Sequence, residues 1–201
     1  MNTFLSTVWE YSGLVLFMLS VTGLLNRHFA KREFRFNKWL NYAITGVTGL
    51  LLTLVSGGVT LWAIKGGILC LILLYASVED HTKHEADNWL SVMVLILSLV
   101  DLREEILLFM LIGAAVVFVP QFLIAIFTNE KRIAIGGADL KLSTATAFML
   151  GFWKGTIGFC LGLFIAVVYQ LIRDAVKHKN IKEAFPLLPY LSVGLMIGYL
   201  V

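Results

Sequence analysis

The sequence predicts an all-α integral membrane protein with about eight transmembrane helices, several of them short. Three observations carry that expectation. The 201 residues are 59% hydrophobic and 14% charged, with a mean hydropathy of +0.85, whereas a soluble domain has roughly 45–50% apolar and about 25% charged residues. The apolar residues fall in long runs without the strict alternation of a membrane β-barrel. Short polar stretches between the runs hold most of the charge. A single polytopic domain over 1–201 accounts for the length, with N-terminal helices and a basic loop over 1–57 and a core over 58–201.

The apolar runs lie near residues 4–26, 39–55, 58–79, 88–101, 105–127, 142–153, 155–172 and 187–201. A full span takes roughly 20 residues, so the fourth, sixth and eighth are short. The first run follows no basic segment and has no small-residue cleavage pattern, so it reads as a retained span. The sixth and seventh runs, taken as one helix, would be too long and would bury Lys154. Taken as a hairpin, they make Gly151-Phe-Trp-Lys-Gly155 a turn at the membrane surface, with Trp153 and Lys154 as interface anchors.

The hairpin also sorts the charge. With it, all but Lys65, Arg103 and Lys154 of the 16 basic residues fall on one side. Without it, Arg173, Lys177, Lys179 and Lys182 would cross to the other. The asymmetry predicts basic loops in the cytoplasm and both termini outside. The loop "RHFAKREFRFNK" (27–38) reads as a topology determinant touching anionic lipid headgroups. Gly151, Gly155, Gly158 and Gly162 recur at intervals of three or four, a spacing that lets helix backbones pack closely. Cys70 and Cys160 sit singly inside apolar runs and read as buried thiols. No metal site, cofactor or nucleic-acid partner is expected, and the sequence carries no signal of oligomeric state.

The acids then divide by position. Glu10, Asp101, Glu104 and Glu105 belong to the outer side, and Glu33, Asp174 and Glu183 to basic loops, all in solvated settings. Two stretches differ. "YASVEDHTKHEADNWL" ends the third span with Glu79 and Asp80, and "AIGGADLKL" enters the sixth with Asp139. The span count puts these acids on the same, cytoplasmic, face. Two carboxylates at a partly dry site cannot both ionise cheaply, and such a pair can hold and activate a water. That is the chemistry of peptide hydrolysis by an aspartyl dyad. Gly136 and Gly137 would allow unusual backbone conformations and close approach beside Asp139. The plainer alternative is that they break the chain before a helix that Asp139 caps. Asp87 and Asn88 read as caps of the fourth span. Periodicity does not choose between Glu79 and Asp80.

These segments resemble the type IV prepilin leader peptidases, polytopic aspartyl proteases with a G-x-G-D-type motif. "GGADLKL" resembles the second catalytic motif, with Lys141 two positions after Asp139, and Ala138 standing where many members have glycine. "EDHTKHEADN" resembles the first, whose aspartate precedes an Ile-Pro-Asn or Ile-Pro-Asp ending by eight residues; Asp80 to Asn88 has that spacing, which favours Asp80. Here Ala86-Asp87 replaces Ile-Pro. "FPLLPYLSVG" resembles the Pro-Phe-Gly-Pro segment that opens the last helix, with Leu187-Leu188 in place of Phe-Gly. The resemblance runs from about Leu61 to the C-terminus and implies that 58–201 is a peptidase core.

It also implies Asp80 and Asp139 as the catalytic pair, supported by Gly136, Gly137, Ala138 and Lys141, with no cofactor. The implied substrate is a prepilin or pseudopilin, cleaved behind its short leader at the cytoplasmic boundary of the inner membrane. The cysteine-rich insertion of larger members, which methylate the new N-terminus, is missing. For Lys141, anchoring the sixth span stands beside orienting Asp139 or binding the leader. Two other functions fit membrane acids less well: a small ion-coupled transporter, for which no inverted repeat is found, and a non-catalytic pilin-binding assembly subunit.

Overall fold

The computed structural model describes residues 2–100, 102, 104–127, 136–177 and 186–201, and these form helices joined by short connections. The helices are α1 (Asn2–Lys31), α2 (Lys38–Ser56), α3 (Leu61–Lys83), α4 (Asn88–Leu99), α5 (Glu104–Phe127), α6 (Gly137–Lys177) and α7 (Leu188–Leu200). Five of them, α1, α2, α3, α5 and α6, are long and apolar enough to cross a membrane, while α4 and α7 are shorter. Asp101, Arg103, Lys131, Arg132, Lys179, Lys182 and Glu183 lie outside the described residues.

Local chemistry sets the ends. Asn37 Oδ1 accepts the Trp39 N–H at 3.0 Å and opens α2, which closes on Gly57 in the left-handed region at φ 71°. The Thr60 hydroxyl accepts the Ala63 N–H and opens α3. That helix closes on His84, also left-handed, whose N–H donates to the Asp80 carbonyl at 2.8 Å. Two boundaries differ from expectation. Helix α3 continues past Glu79 to Lys83, so Asp80 lies inside its last turns. Helix α6 begins at Gly137, so Asp139 lies in its first turn instead of ahead of it.

The hairpin within α6 is visible in the backbone. Gly151 has φ 77° and ψ −177°, a conformation that side chains essentially exclude. A Cβ on Gly155 would stand 3.0 Å from the Cα of Ala147, whereas eight residues of straight helix span about 12 Å. The two arms of α6, 137–150 and 152–177, therefore fold back on each other at Gly151. Trp153, just past the turn, is exposed. The glycine spacing is used for packing as expected: a Cβ on Gly162 would stand 2.8 Å from Leu191 Cα, and one on Gly158 would stand 3.0 Å from the Gly194 carbonyl. The second arm and α7 thus cross nearly backbone to backbone.

Helix α3 is the hub. Two-thirds of its span is buried, against less than a third for the other long helices, which turn apolar surface outward. It packs against α1, α2, α4 and α7, and α6 joins α7 to α4 and α5. Cys70, on α3, is buried as expected, but Cys160 is exposed on the outer face of α6.

The loop expected to serve lipid is also a structural clasp. Fully buried Phe29 has its ring centroid 5.7 Å from Phe34, 5.4 Å from Phe36 and 5.3 Å from Tyr75. Burying one such side chain contributes roughly 1.5–3 kcal/mol. The Arg35 N–H donates to the Thr82 hydroxyl at 3.0 Å, and Lys83 Nζ lies 5.0 Å from the Phe34 ring centroid. The α1–α2 connection is thereby fixed to the end of α3 that carries the acids.

Candidate active site

One end of the bundle gathers the C-terminal turns of α3 and the N-termini of α4, α6 and α7. Asp80 is buried at 5% exposure, and its Oδ2 accepts the Leu188 N–H at 3.1 Å. Leu188 is the first residue of α7, and no side chain caps that helix locally. Asp80 therefore satisfies one of the donors that every helix start leaves open, and the positive end of the helix faces its carboxylate. The two flanking histidines, His81 and His84, are near enough to act on its charge.

Asp139 is buried at 8% exposure. Its carboxylate accepts the Gly136 N–H, while the Gly136 carbonyl accepts the Leu140 N–H at 3.2 Å. This is the return half of a capping box, so Asp139 does cap α6. The Asp80 carboxylate lies near enough to interact with Asp139 electrostatically. Capping does not exhaust the side chain, since a carboxylate keeps lone pairs for a further partner.

Glu79 stands apart. It is fully buried, its Oε1 accepts Lys83 Nζ at 2.7 Å, and its Oε2 accepts the Asp87 N–H at 3.1 Å. Both oxygens are engaged in closing the α3–α4 connection. Geometry thus separates the adjacent acids that periodicity left open.

The supporting residues take unequal parts. A Cβ on Gly136 would stand 3.0 Å from Asp139 Oδ2, whereas one on Gly137 would meet nothing within 4 Å. Close approach is needed at Gly136 alone, and Gly137 does not have the positive φ that would require its conformational freedom. Ala138 is half-buried in the first turn. Lys141 Nζ donates to Asn88 Oδ1 at 2.9 Å, tying the start of α6 to the start of α4. Asp87 occupies the cap position of α4 without a side-chain cap bond; its Oδ2 instead accepts the Trp89 indole N–H at 3.0 Å. The expected capping by its side chain is absent because the indole holds the carboxylate.

A buried polar pair near the site escaped the sequence reading. Gln121 Nε2, on α5, donates to the Ser143 hydroxyl at 2.9 Å, one turn along α6 from Asp139. Gln121 follows Pro120 inside an apolar helix, and that isolated polar residue was the available signal. Among the described residues, no group of three or more His, Cys, Asp or Glu side chains is placed to hold a metal ion.

A profile described as the type IV leader peptidase family matches residues 67–171, just over half of the chain. The chain belongs to the type IV leader peptidase family. Neither a curated protein nor a solved structure matches it. The matched region of this family member holds both aspartates together with Asn88, Gly136 and Lys141, and ends before α7, whose first N–H reaches Asp80.

Proposed function

We propose that this chain is a membrane aspartyl endopeptidase that removes the short leader from type IV prepilins or pseudopilins, with Asp80 and Asp139 as its catalytic pair. The observation that supports the reading is that two buried carboxylates, Asp80 on α3 and Asp139 on α6, lie near enough to interact electrostatically, while the third acid nearby, Glu79, has both oxygens bound elsewhere.

The chemistry follows from the pair. In such a mechanism two interacting carboxylates at a partly dry site share a proton, so one is ionised while the other is an acid. A water held between them gives a proton to the ionised partner and attacks the scissile carbonyl. The protonated partner donates a hydrogen bond to that carbonyl as negative charge develops, and the departing amine then takes a proton from the pair. No covalent intermediate forms. The helix starts at Leu188 and Gly136 hold the two carboxylates in place, because each gives its aspartate a backbone N–H.

In our reading the chain crosses the inner membrane about eight times, counting both arms of α6 and the short helices, with the dyad at the cytoplasmic side. A dyad at that interface reaches a bond at the end of a substrate helix without unwinding backbone in mid-bilayer, where each exposed polar group costs several kcal/mol. The test is a cleavage assay with a co-expressed prepilin, following leader removal. Asp80→Asn and Asp139→Asn should each abolish processing, and Glu79→Gln should retain it. Leader removal by both aspartate variants would end the dyad mechanism.

A further inference from the structure

Helices α2 and α7 both pack against α3 and scarcely meet each other. The space left between them is a groove of about 950 Å³. Buried residues of α3, Leu73 and Leu74 among them, form its floor. One wall is a stripe on α2, Leu40, Ile44, Val47 and Leu51, at the spacing that puts side chains on one helix face. The other wall is Pro189, Val193 and Ile197 on α7. All of these wall residues except Pro189 are exposed, so the walls are apolar and uncovered while the floor is sealed.

The groove has the dimensions of a helix seat. From Leu40 to Leu51 its wall rises about 16 Å, roughly half of a bilayer's hydrocarbon core. Spread over that length, the volume gives a section of roughly 60 Å², against roughly 80–110 Å² for a helix 10–12 Å across. A helix can therefore lie more than half sunk in the groove with its remaining face toward lipid, whereas a single acyl chain would leave most of the section empty. The two ends differ. Leu51 and Leu200 line one, and Arg35, Asn37 and His81 line the other. The polar end adjoins the candidate active site: His81 follows Asp80 in α3, and Pro189 follows Leu188, whose N–H Asp80 accepts. An apolar helix that fills the groove leaves it beside the aspartates.

We propose that this groove docks the apolar helix of the substrate, so that the bond behind the leader is presented at the polar end to Asp80 and Asp139. The assignment rests on the peptidase reading and adds to it a binding surface that supplies no catalytic group. Side chains along about three turns of the substrate helix pack between α2 and α7, as a helix does in an apolar groove. The length of the groove then sets which bond of the substrate reaches the pair.

The experiment uses the full chain with a type IV prepilin that carries its apolar helix, and has two readouts. For the first, photoreactive benzoylphenylalanine replaces Val47, Val193 or Leu50 in the Asp139→Asn chain, and crosslinks to the prepilin are scored. Leu50 is the control, exposed on α2 but outside the groove. For the second, kcat and KM for leader removal are compared in Val47→Trp, which narrows the groove from an exposed position, and Leu50→Trp. The groove positions should crosslink the prepilin about tenfold more than Leu50. Val47→Trp should raise KM about tenfold with little change in kcat, and Leu50→Trp should keep the wild-type KM. Leader removal by wild type with equal crosslinking from all three positions, or with an unchanged KM in Val47→Trp, would overturn the docking site and leave the peptidase reading standing. Groove crosslinks to the prepilin without leader removal by wild type would keep the docking site and overturn the peptidase reading. Crosslinks from the groove to phospholipid alone would overturn the proposal.

Discussion

Gly136→Ala is a steric test of the role proposed for Asp139 that leaves both aspartates in place. The added Cβ would lie 3.0 Å from Asp139 Oδ2, and ordinary contact begins at 3.4 Å. The carboxylate must therefore retreat by roughly 0.4 Å. If a misplacement of 1 Å costs about 100-fold in rate, 0.4 Å costs roughly six-fold, so kcat for leader removal should fall about five- to ten-fold. Stability should change little: alanine is a poorer N-cap than glycine by up to ~1 kcal/mol, and the stiffer unfolded chain offsets ~0.4–1 kcal/mol of that. Gly137→Ala is the matched control, because its Cβ would enter open space and alanine favours the helix by up to ~1 kcal/mol. Initial rates in detergent with a prepilin peptide, alongside thermal unfolding of both variants, separate the two effects. If Asp139 only capped α6, neither variant would slow processing. A wild-type rate for Gly136→Ala, or an equal loss in Gly137→Ala, refutes the reasoning.

Three further outcomes are expected. Glu79→Gln retains an acceptor for the Asp87 N–H and loses only the ion pair to Lys83, whose side chain is 43% exposed; thermal unfolding should register up to ~1 kcal/mol, with leader removal intact. Gly151→Ala forces a side chain into a backbone region that is essentially glycine's, and should cost ~1–3 kcal/mol in chemical denaturation. Phe29→Ala empties the aromatic clasp beneath the basic loop and should cost ~3–5 kcal/mol, read as earlier unfolding and faster proteolysis between Lys31 and Lys38.

The fold was legible where physics is local and periodic. Apolar runs located the long helices, and the burial cost of Lys154 with the charge asymmetry located the turn at Gly151. The candidate site was legible as a proposal where types and spacing matter: an acid ending one span and a glycine-flanked acid starting another. What escaped were partners set by three-dimensional packing. Nothing in "RHFAKREFRFNK" says that Phe29 and Phe34 fold inward while the charges face out. Nothing local gives Glu79 to the Asp87 N–H, or Lys141 to Asn88, because each contact depends on where a helix ends, and α3 and α6 end differently from the apolar runs that announce them.

Those packing contacts also fall where the chain departs from its family's sequence pattern. Where members carry Ile-Pro before the Asn or Asp that ends the first motif, this chain has Ala86-Asp87. A proline there would fix the connection through its ring and offer no N–H. Asp87 does offer one, and buried Glu79 accepts it at 3.1 Å, so here a hydrogen bond to α3 holds the connection. At the last motif, Leu187-Leu188 stands in place of Phe-Gly. The contact made there comes from the Leu188 backbone N–H to Asp80, while the Leu188 side chain is buried in the core. A backbone donor does not depend on the side chain that follows it, so the segment can change its residues and still place the start of α7 against Asp80. The glycine crossing between α7 and the second arm of α6 holds that start in register.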